Sequence, residues 1–175
     1  MIVILSGQIG IGKTTICDKV IERARADGHA CGGVVSRKGR DAVGRTVIRV
    51  EDVSSKGGDA ILAREDKPFK GGPSAGRFHY SPEGIEYAGK AILSGAGFDL
   101  LVIDEVGRLE LQGEGFASTI KEAGLNKLDR VLLVIREFLV DEAVAKLGLR
   151  SQEVVRIGYG NRDDLPDQIL HKLKL

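Results

Sequence analysis

Residues 2–14 read Ile2-Val3-Ile4-Leu5-Ser6-Gly7-Gln8-Ile9-Gly10-Ile11-Gly12-Lys13-Thr14, and this stretch decides the fold. Ile2, Val3, Ile4 and Leu5 are apolar without alternation, as in a strand covered on both faces of a parallel sheet. A glycine-rich loop follows. Ile16, Val20, Ile21 and Ala24 then recur at helical spacing, which predicts a helix to about residue 27 with Gly28 as its C-terminal stop. Between strand and helix, Gly7 to Thr14 fits G-x-x-x-x-G-K-[ST], in the context that this loop's mechanism requires. A polyphosphate needs many donors at close range. Glycines let backbone N–H groups approach it, and the helix start adds its dipole and unpaired N–H groups. Gly7, Gln8, Ile9, Gly10, Ile11, Gly12, Lys13, Thr14 and Thr15 are therefore the nucleotide-binding candidates. Lys13 would reach the β- and γ-phosphates, and the Thr14 hydroxyl would ligate Mg²⁺.

Outward from the loop, a second apolar run at residues 100–103 ends in Asp104 and Glu105. Ligands of open α/β sheets bind at the C-terminal ends of strands. Asp104 is the second candidate ligand for Mg²⁺, in the manner of a Walker B aspartate. Glu105, with Lys13, is a catalytic candidate: it would orient the attacking water and accept its proton. Neighbours on an extended segment point to opposite sides, so Glu105 reaches the γ-phosphate only if the chain bends. Val106-Gly107 offers a place for that bend.

The rest of the chain continues the alternation. Val34 and Val35 begin a second β region, residues 40–53 read as a hairpin, and 61–63 and 77–80 as short strands. Ser81-Pro82 starts a helix as N-cap and first helical residue. Its buried stripe is Ile85, Ala88, Ile92 and Leu93, and Gly95 and Gly97 close it. A helix at 116–123, a strand at 131–135, a helix at 140–147, a strand at 154–157 and a last helix carrying Leu165, Ile169, Leu170 and Leu173 follow. This predicts an α/β fold in a single domain, 1–175: a mainly parallel sheet, helices on both faces, and antiparallel strands added around 33–80.

Composition sets outer limits. A chain of 175 residues, 42% apolar and 29% charged, fits one soluble globular domain. Its 26 basic and 25 acidic residues leave a net charge of +1, so no nucleic-acid partner is expected. Cys17 and Cys31 form no CxxC pair and the three histidines lie far apart, which argues against a cysteine/histidine metal site. Two buried thiols in a reducing cytoplasm is the expectation, with a disulfide or a reactive thiol as the alternative. The apolar run at 2–5 is too short for a signal sequence or a membrane span, so a cytoplasmic location and no membrane partner are expected.

With these residues in view, the chain resembles the small nucleoside triphosphatases called the thermophilic-type or cancer-related family. The resemblance rests on the N-terminal Gly-Gln-Ile-Gly-Ile-Gly-Lys-Thr-Thr, then Gly33-Val34-Val35, then Gly76-Arg77-Phe78. It continues in Asp99-Leu100-Leu101-Val102-Ile103-Asp104-Glu105-Val106-Gly107-Arg108-Leu109-Glu110-Leu111, in Phe116, and in Asn161-Arg162-Asp163. Its most specific part runs from Asp104 to Leu111. The resemblance implies a RecA-like fold and slow, Mg²⁺-dependent hydrolysis of several nucleoside triphosphates to diphosphates, with weak base discrimination. One stretch departs from the pattern: members usually carry an apolar-Thr-Ile-Pro-like sequence after the strand at 131–135, where this chain has Ile135-Arg136-Glu137.

Several charged residues stay open. Arg136 follows a buried strand and is either an arginine finger in cis or a loop charge paired with Glu137. Arg108 is a weaker candidate of the same kind, and Glu110 fits a loop brace better than a substrate contact. Arg37, Lys38, Arg40 and Arg45 read as a solvated hairpin face, with phosphate or an anionic partner as the alternative. Asn161-Arg162-Asp163 either caps the last helix or packs near the base. Asn126-Lys127-Leu128-Asp129 has the guanine-reading shape but precedes its strand, so it reads as a turn.

Three functions fit these residues: a nucleoside triphosphatase, a small-molecule kinase, or a nucleotide-dependent assembly factor. Glu105 beside Asp104 favours water as the nucleophile. Arg64, Lys67, Lys70 and Arg77 leave a kinase-like lid open, and the protein partner of an assembly factor has no signature here.

Overall fold

The computed structural model describes residues 1–54 and 58–175. Its centre is a parallel sheet. Strand β1 (Ile2–Gly7) leads through the glycine loop into helix α1 (Lys13–Ala26). Strand β2 (Cys31–Arg40) turns into β3 (Thr46–Asp52), and β4 (Asp59–Arg64), β5 (Ser74–Ala75) and β6 (Phe78–Tyr80) follow. Helix α2 (Pro82–Gly95) leads to β7 (Leu100–Val106), then to α3 (Arg108–Leu111) and α4 (Ala117–Ala123). Strand β8 (Val131–Arg136), helix α5 (Val140–Lys146), strand β9 (Gln152–Arg156) and helix α6 (Leu165–Leu173) complete the order.

Among the described residues nine strands join one sheet in the order β5-β6-β4-β3-β2-β7-β8-β1-β9. Strands β2, β7, β8, β1 and β9 are mutually parallel, and β3, β4, β6 and β5 add on as antiparallel neighbours. The antiparallel addition expected around 33–80 is there, set beside a parallel body of five strands.

The unbroken apolarity of β1 has a simple cause. Ile2 and Ile4 enter one core with α2, α4 and α5, while Val3 and Leu5 enter the other with α1 and α6. Period-2 alternation therefore sends side chains into two cores, and both must be apolar. β8 does the same: Leu133 and Ile135 face one core, Leu132 and Val134 the other.

Two expectations are corrected and two elements are added. Leu93 does not belong to the buried stripe of α2 and is 38% exposed. The helix instead buries Gly84, Ala88, Ala91, Ile92 and Gly95, because small residues let it lie close on the sheet. Two elements are additional: β5 has two residues and α3 four, too few to show a period. Strand β7 extends through Val106, and its bend falls at Glu105 rather than at Val106-Gly107. Asp104 pairs with Val134 and Val106 with Ile135, so Glu105 is the extra residue of a bulge. Cys17 and Cys31 are free and buried. Among the described residues no helix is long and apolar enough to cross a membrane.

Candidate active site

The loop between β1 and α1 is shaped by backbone torsion. Gly10 has φ +78° and Gly12 φ +103°, values that only glycine adopts at little cost. Gly12 is the N-cap of α1, which begins with no side-chain cap and no acidic residue in its first turn. The helix start thus keeps unpaired N–H groups and an uncompensated dipole for an anion. Gly7 and Ile11 are buried, Gln8, Ile9, Gly10 and Thr15 are exposed, and Gly12 and Thr14 are half-buried. Lys13 folds back over the loop: its Nζ donates to Gly7 O at 3.0 Å and Gln8 O at 2.9 Å. Burial pushes its pKa down, and the carboxylates of Glu105 and Asp104 pull against that.

Across the sheet edge, Thr14 Oγ1 donates to Asp104 Oδ2 at 2.6 Å, joining the first turn of α1 to the end of β7. Asp104 is 2% exposed. Burial raises its pKa to about 7, with the nearby Glu105 charge adding and the Thr14 hydrogen bond opposing. Two oxygen donors in contact, one of them a carboxylate short of positive charge, suit a hard divalent cation. Among the described residues no group of three or more His, Cys, Asp or Glu forms a protein cage for a metal. Mg²⁺ needs none, since it takes one or two protein oxygens and completes its shell with phosphate and water.

Glu105 lies beside this pair. Its Oε1 accepts from Arg136 Nε at 2.6 Å, an ion pair that sequence reasoning missed. Arg136 ends β8 directly opposite Gly7 in the parallel register, so β8 delivers it to the mouth of the glycine loop. The expected alternative partner, Glu137, lies instead 3.8 Å from Arg156.

The other candidates are placed as follows. Arg108 is exposed, and its guanidinium stacks over the Phe138 ring at 5.5 Å rather than pairing with a site carboxylate. Glu110 is buried, and its Oε2 accepts from Gly107 N at 2.9 Å, bracing the turn after β7. Arg37 is held by Asp18 and Glu51, and Arg45 by Asp41 and Asp66, so these hairpin cations are neutralised within the fold. Arg64 stacks on Phe69 and Arg77 pairs with Glu65, which ties down two cations of the supposed lid. Asn161 caps no helix; its amide ties Gly158 N and Arg156 O within the β9–α6 loop. Asn126 bonds Gly148 O and Arg150 N, as a turn residue before β8. A cavity of about 290 Å³ lies beside that turn, lined by Phe98, Asp99, Lys127 and Arg130. It sits at the N-terminal ends of β7 and β8, the edge opposite the glycine loop.

Known proteins resemble the chain along nearly its whole length. The model of a family described as NTPase matches residues 2–170. The nucleoside-triphosphatase THEP1 of Methanopyrus kandleri is 31% identical over 171 residues, spanning 96% of this chain and 92% of its own length. The THEP1 of Methanosarcina barkeri is 32% identical over 173 residues, with 97% and 95% covered. The crystal structure of THEP1 from Aquifex aeolicus superposes with a TM-score of 0.71 at 20% identity, covering 100% of both chains. The solution structure of a human cancer-related nucleoside triphosphatase gives 0.74 at 24% identity, covering 97% of this chain and 95% of its own. These two matches support the α/β P-loop fold.

Proposed function

The chain belongs to the NTPase family, and from that premise we propose that it is a Mg²⁺-dependent nucleoside triphosphatase. It hydrolyses ATP, GTP and other nucleoside triphosphates to the diphosphate and phosphate, with low base selectivity, as one cytoplasmic P-loop domain, 1–175. The observation that carries this reading is the 2.6 Å bond from Thr14 to Asp104, which brings the phosphate loop and the strand-end carboxylate into one site.

Each residue has a task. The loop N–H groups and the start of α1 hold the polyphosphate. Lys13 exchanges the carbonyls of Gly7 and Gln8 for β- and γ-phosphate oxygens, a stronger charge-assisted contact. Thr14 and Asp104 would hold Mg²⁺. When bound, the ion would neutralise phosphate charge and polarise the γ-phosphoryl group. Glu105 orients a water for in-line attack and takes its proton, while the terminal P–O bond breaks and the diphosphate leaves. Arg136 holds Glu105 through Nε, and its remaining N–H groups would be donors for the γ-phosphate.

The experiment is phosphate release by the purified chain with Mg²⁺ and no acceptor, repeated with chelator and with candidate acceptor molecules. Release that needs the divalent ion and ignores acceptors supports the hydrolase. Transfer to an acceptor without release would replace it with a kinase.

A further inference from the structure

The strand order sets a direction along the sheet edge. Asp104 and Glu105 lie close to the end of β7, Arg136 ends β8, the glycine loop leaves β1, and β9 lies beyond. The γ-phosphate end belongs with the carboxylates. A triphosphate lying across the loop then carries its nucleoside away from β7, toward β9. From β7 to β9 is three strand spacings, about 14 Å at ~4.8 Å each.

The loop after β9 occupies that place. Ile157 N donates to Ser6 O at 2.8 Å. A Cβ on Gly7 would stand 2.5 Å from Ile157 Cγ2, so the loop leaves β9 in contact with the first residue of the phosphate loop. At its other end, Asp163 Oδ1 lies 3.7 Å from Lys19 Nζ on α1. Between these ties Asn161 fastens the turn, accepting from Gly158 N at 2.8 Å and donating to Arg156 O at 2.9 Å. Tyr159 projects from it and is 85% exposed. Single exposed aromatics are ordinary, but this one is backed. The Arg162 guanidinium lies over its ring at 4.9 Å, and the buried Arg162 Nε has no hydrogen-bond partner among the described residues. One ring face meets a cation and the other is open.

Resting on the nucleotide-binding reading above, we propose that Tyr159, backed by Arg162, is the platform on which the nucleobase stacks. Every base has a π-face, so a stack accepts all of them. The one carboxamide in the turn, Asn161, is engaged with backbone at both ends and reads no base edge. The platform thus deepens the low base selectivity into a physical cause: the site binds the nucleoside by its face.

The chain has no tryptophan, so Tyr159→Trp introduces a single fluorescent reporter at the platform. ATP, GTP, CTP and UTP should each change its emission. Inorganic tripolyphosphate, which fills the phosphate loop and has no base, should not. Tyr159→Ala should weaken all four nucleotides by about tenfold or more, the loss expected for one base–aromatic stack, and Tyr159→Phe should restore them. The stabilisation of Tyr159→Ala by tripolyphosphate should match wild type. Silent emission from Tyr159→Trp, with nucleotides that still raise its Tm, would overturn the platform, as would an alanine effect on one base alone. If neither nucleotides nor tripolyphosphate raise the Tm of the wild-type chain, the phosphate-site reading itself fails, and the platform with it.

Discussion

Arg136 Nε donates to Glu105 Oε1 over 2.6 Å, across the ends of two neighbouring strands. The bulge at Glu105 turns its carboxylate toward β8, and the parallel register sets Arg136 opposite Gly7. One guanidinium therefore holds the candidate base from a strand end that pairs with the start of the phosphate loop, with N–H groups to spare for a γ-phosphate. Arg136→Ala should weaken a non-hydrolysable triphosphate analogue while leaving diphosphate affinity unchanged, and should lower turnover by about tenfold or more, well short of the 10³–10⁵ seen for arginine fingers. Titration calorimetry with both nucleotides measures the difference. Equal loss for diphosphate and triphosphate would make Arg136 a structural residue.

Lys13 is 6% exposed and bonded to two loop carbonyls, so its charge is already aimed at the phosphate position. Lys13→Ala should weaken triphosphate binding and nearly abolish hydrolysis. Phosphate release by the variant, beside its circular dichroism, is the check. Unchanged turnover in a folded variant would remove the loop from the mechanism.

Asp104 predicts a pH dependence of the ligand-free protein. Burial raises its folded pKa from 3.8 to about 7. Between those values the folded chain holds a proton that the unfolded chain has lost, so stability falls as pH rises through that window. Asp104→Asn removes the titration. Its ligand-free Tm should exceed that of wild type at pH 8, and the gap should close toward pH 4. The same variant should lose the stabilisation given by Mg²⁺ with nucleotide. A wild-type Tm that runs parallel to the variant's across this range would show that Asp104 titrates normally.

The parts of this site that were legible in the sequence are those set by local chemistry. The glycine loop, Lys13 and Thr14 are contiguous, and Asp104 follows an apolar run that reads as a doubly covered strand. The Glu105–Arg136 pair was not legible, because its members are 31 residues apart and meet only once β8 is known to lie beside β7. The bend was expected at Val106-Gly107, where glycine is flexible. A bulge needs no glycine, and it fell on Glu105. The hairpin cations read as a solvated face, because Asp18, on α1, is invisible as a partner of Arg37 until α1 packs against the sheet.

Glu105→Gln tests the hydrolase reading most directly. The carboxamide keeps the shape of the side chain and an oxygen able to accept from Arg136 Nε, so the arginine stays in place. It also lowers negative charge beside Lys13 and Asp104, which both feel Glu105 electrostatically. Neither change should harm nucleotide binding. What the amide cannot do is accept a proton from the attacking water. General-base catalysis contributes ~10²–10⁴-fold, so turnover should fall by about a hundredfold or more while triphosphate affinity stays within about threefold. Single-turnover phosphate release, set beside a binding titration, separates the two quantities. A structural carboxylate predicts either near-normal turnover or joint loss of binding and stability. Wild-type hydrolysis by a stably folded Glu105→Gln chain would sink the assignment. The base would then have to come from elsewhere in the site. Glu110, buried and hydrogen-bonded to Gly107 N, would be the next carboxylate to test.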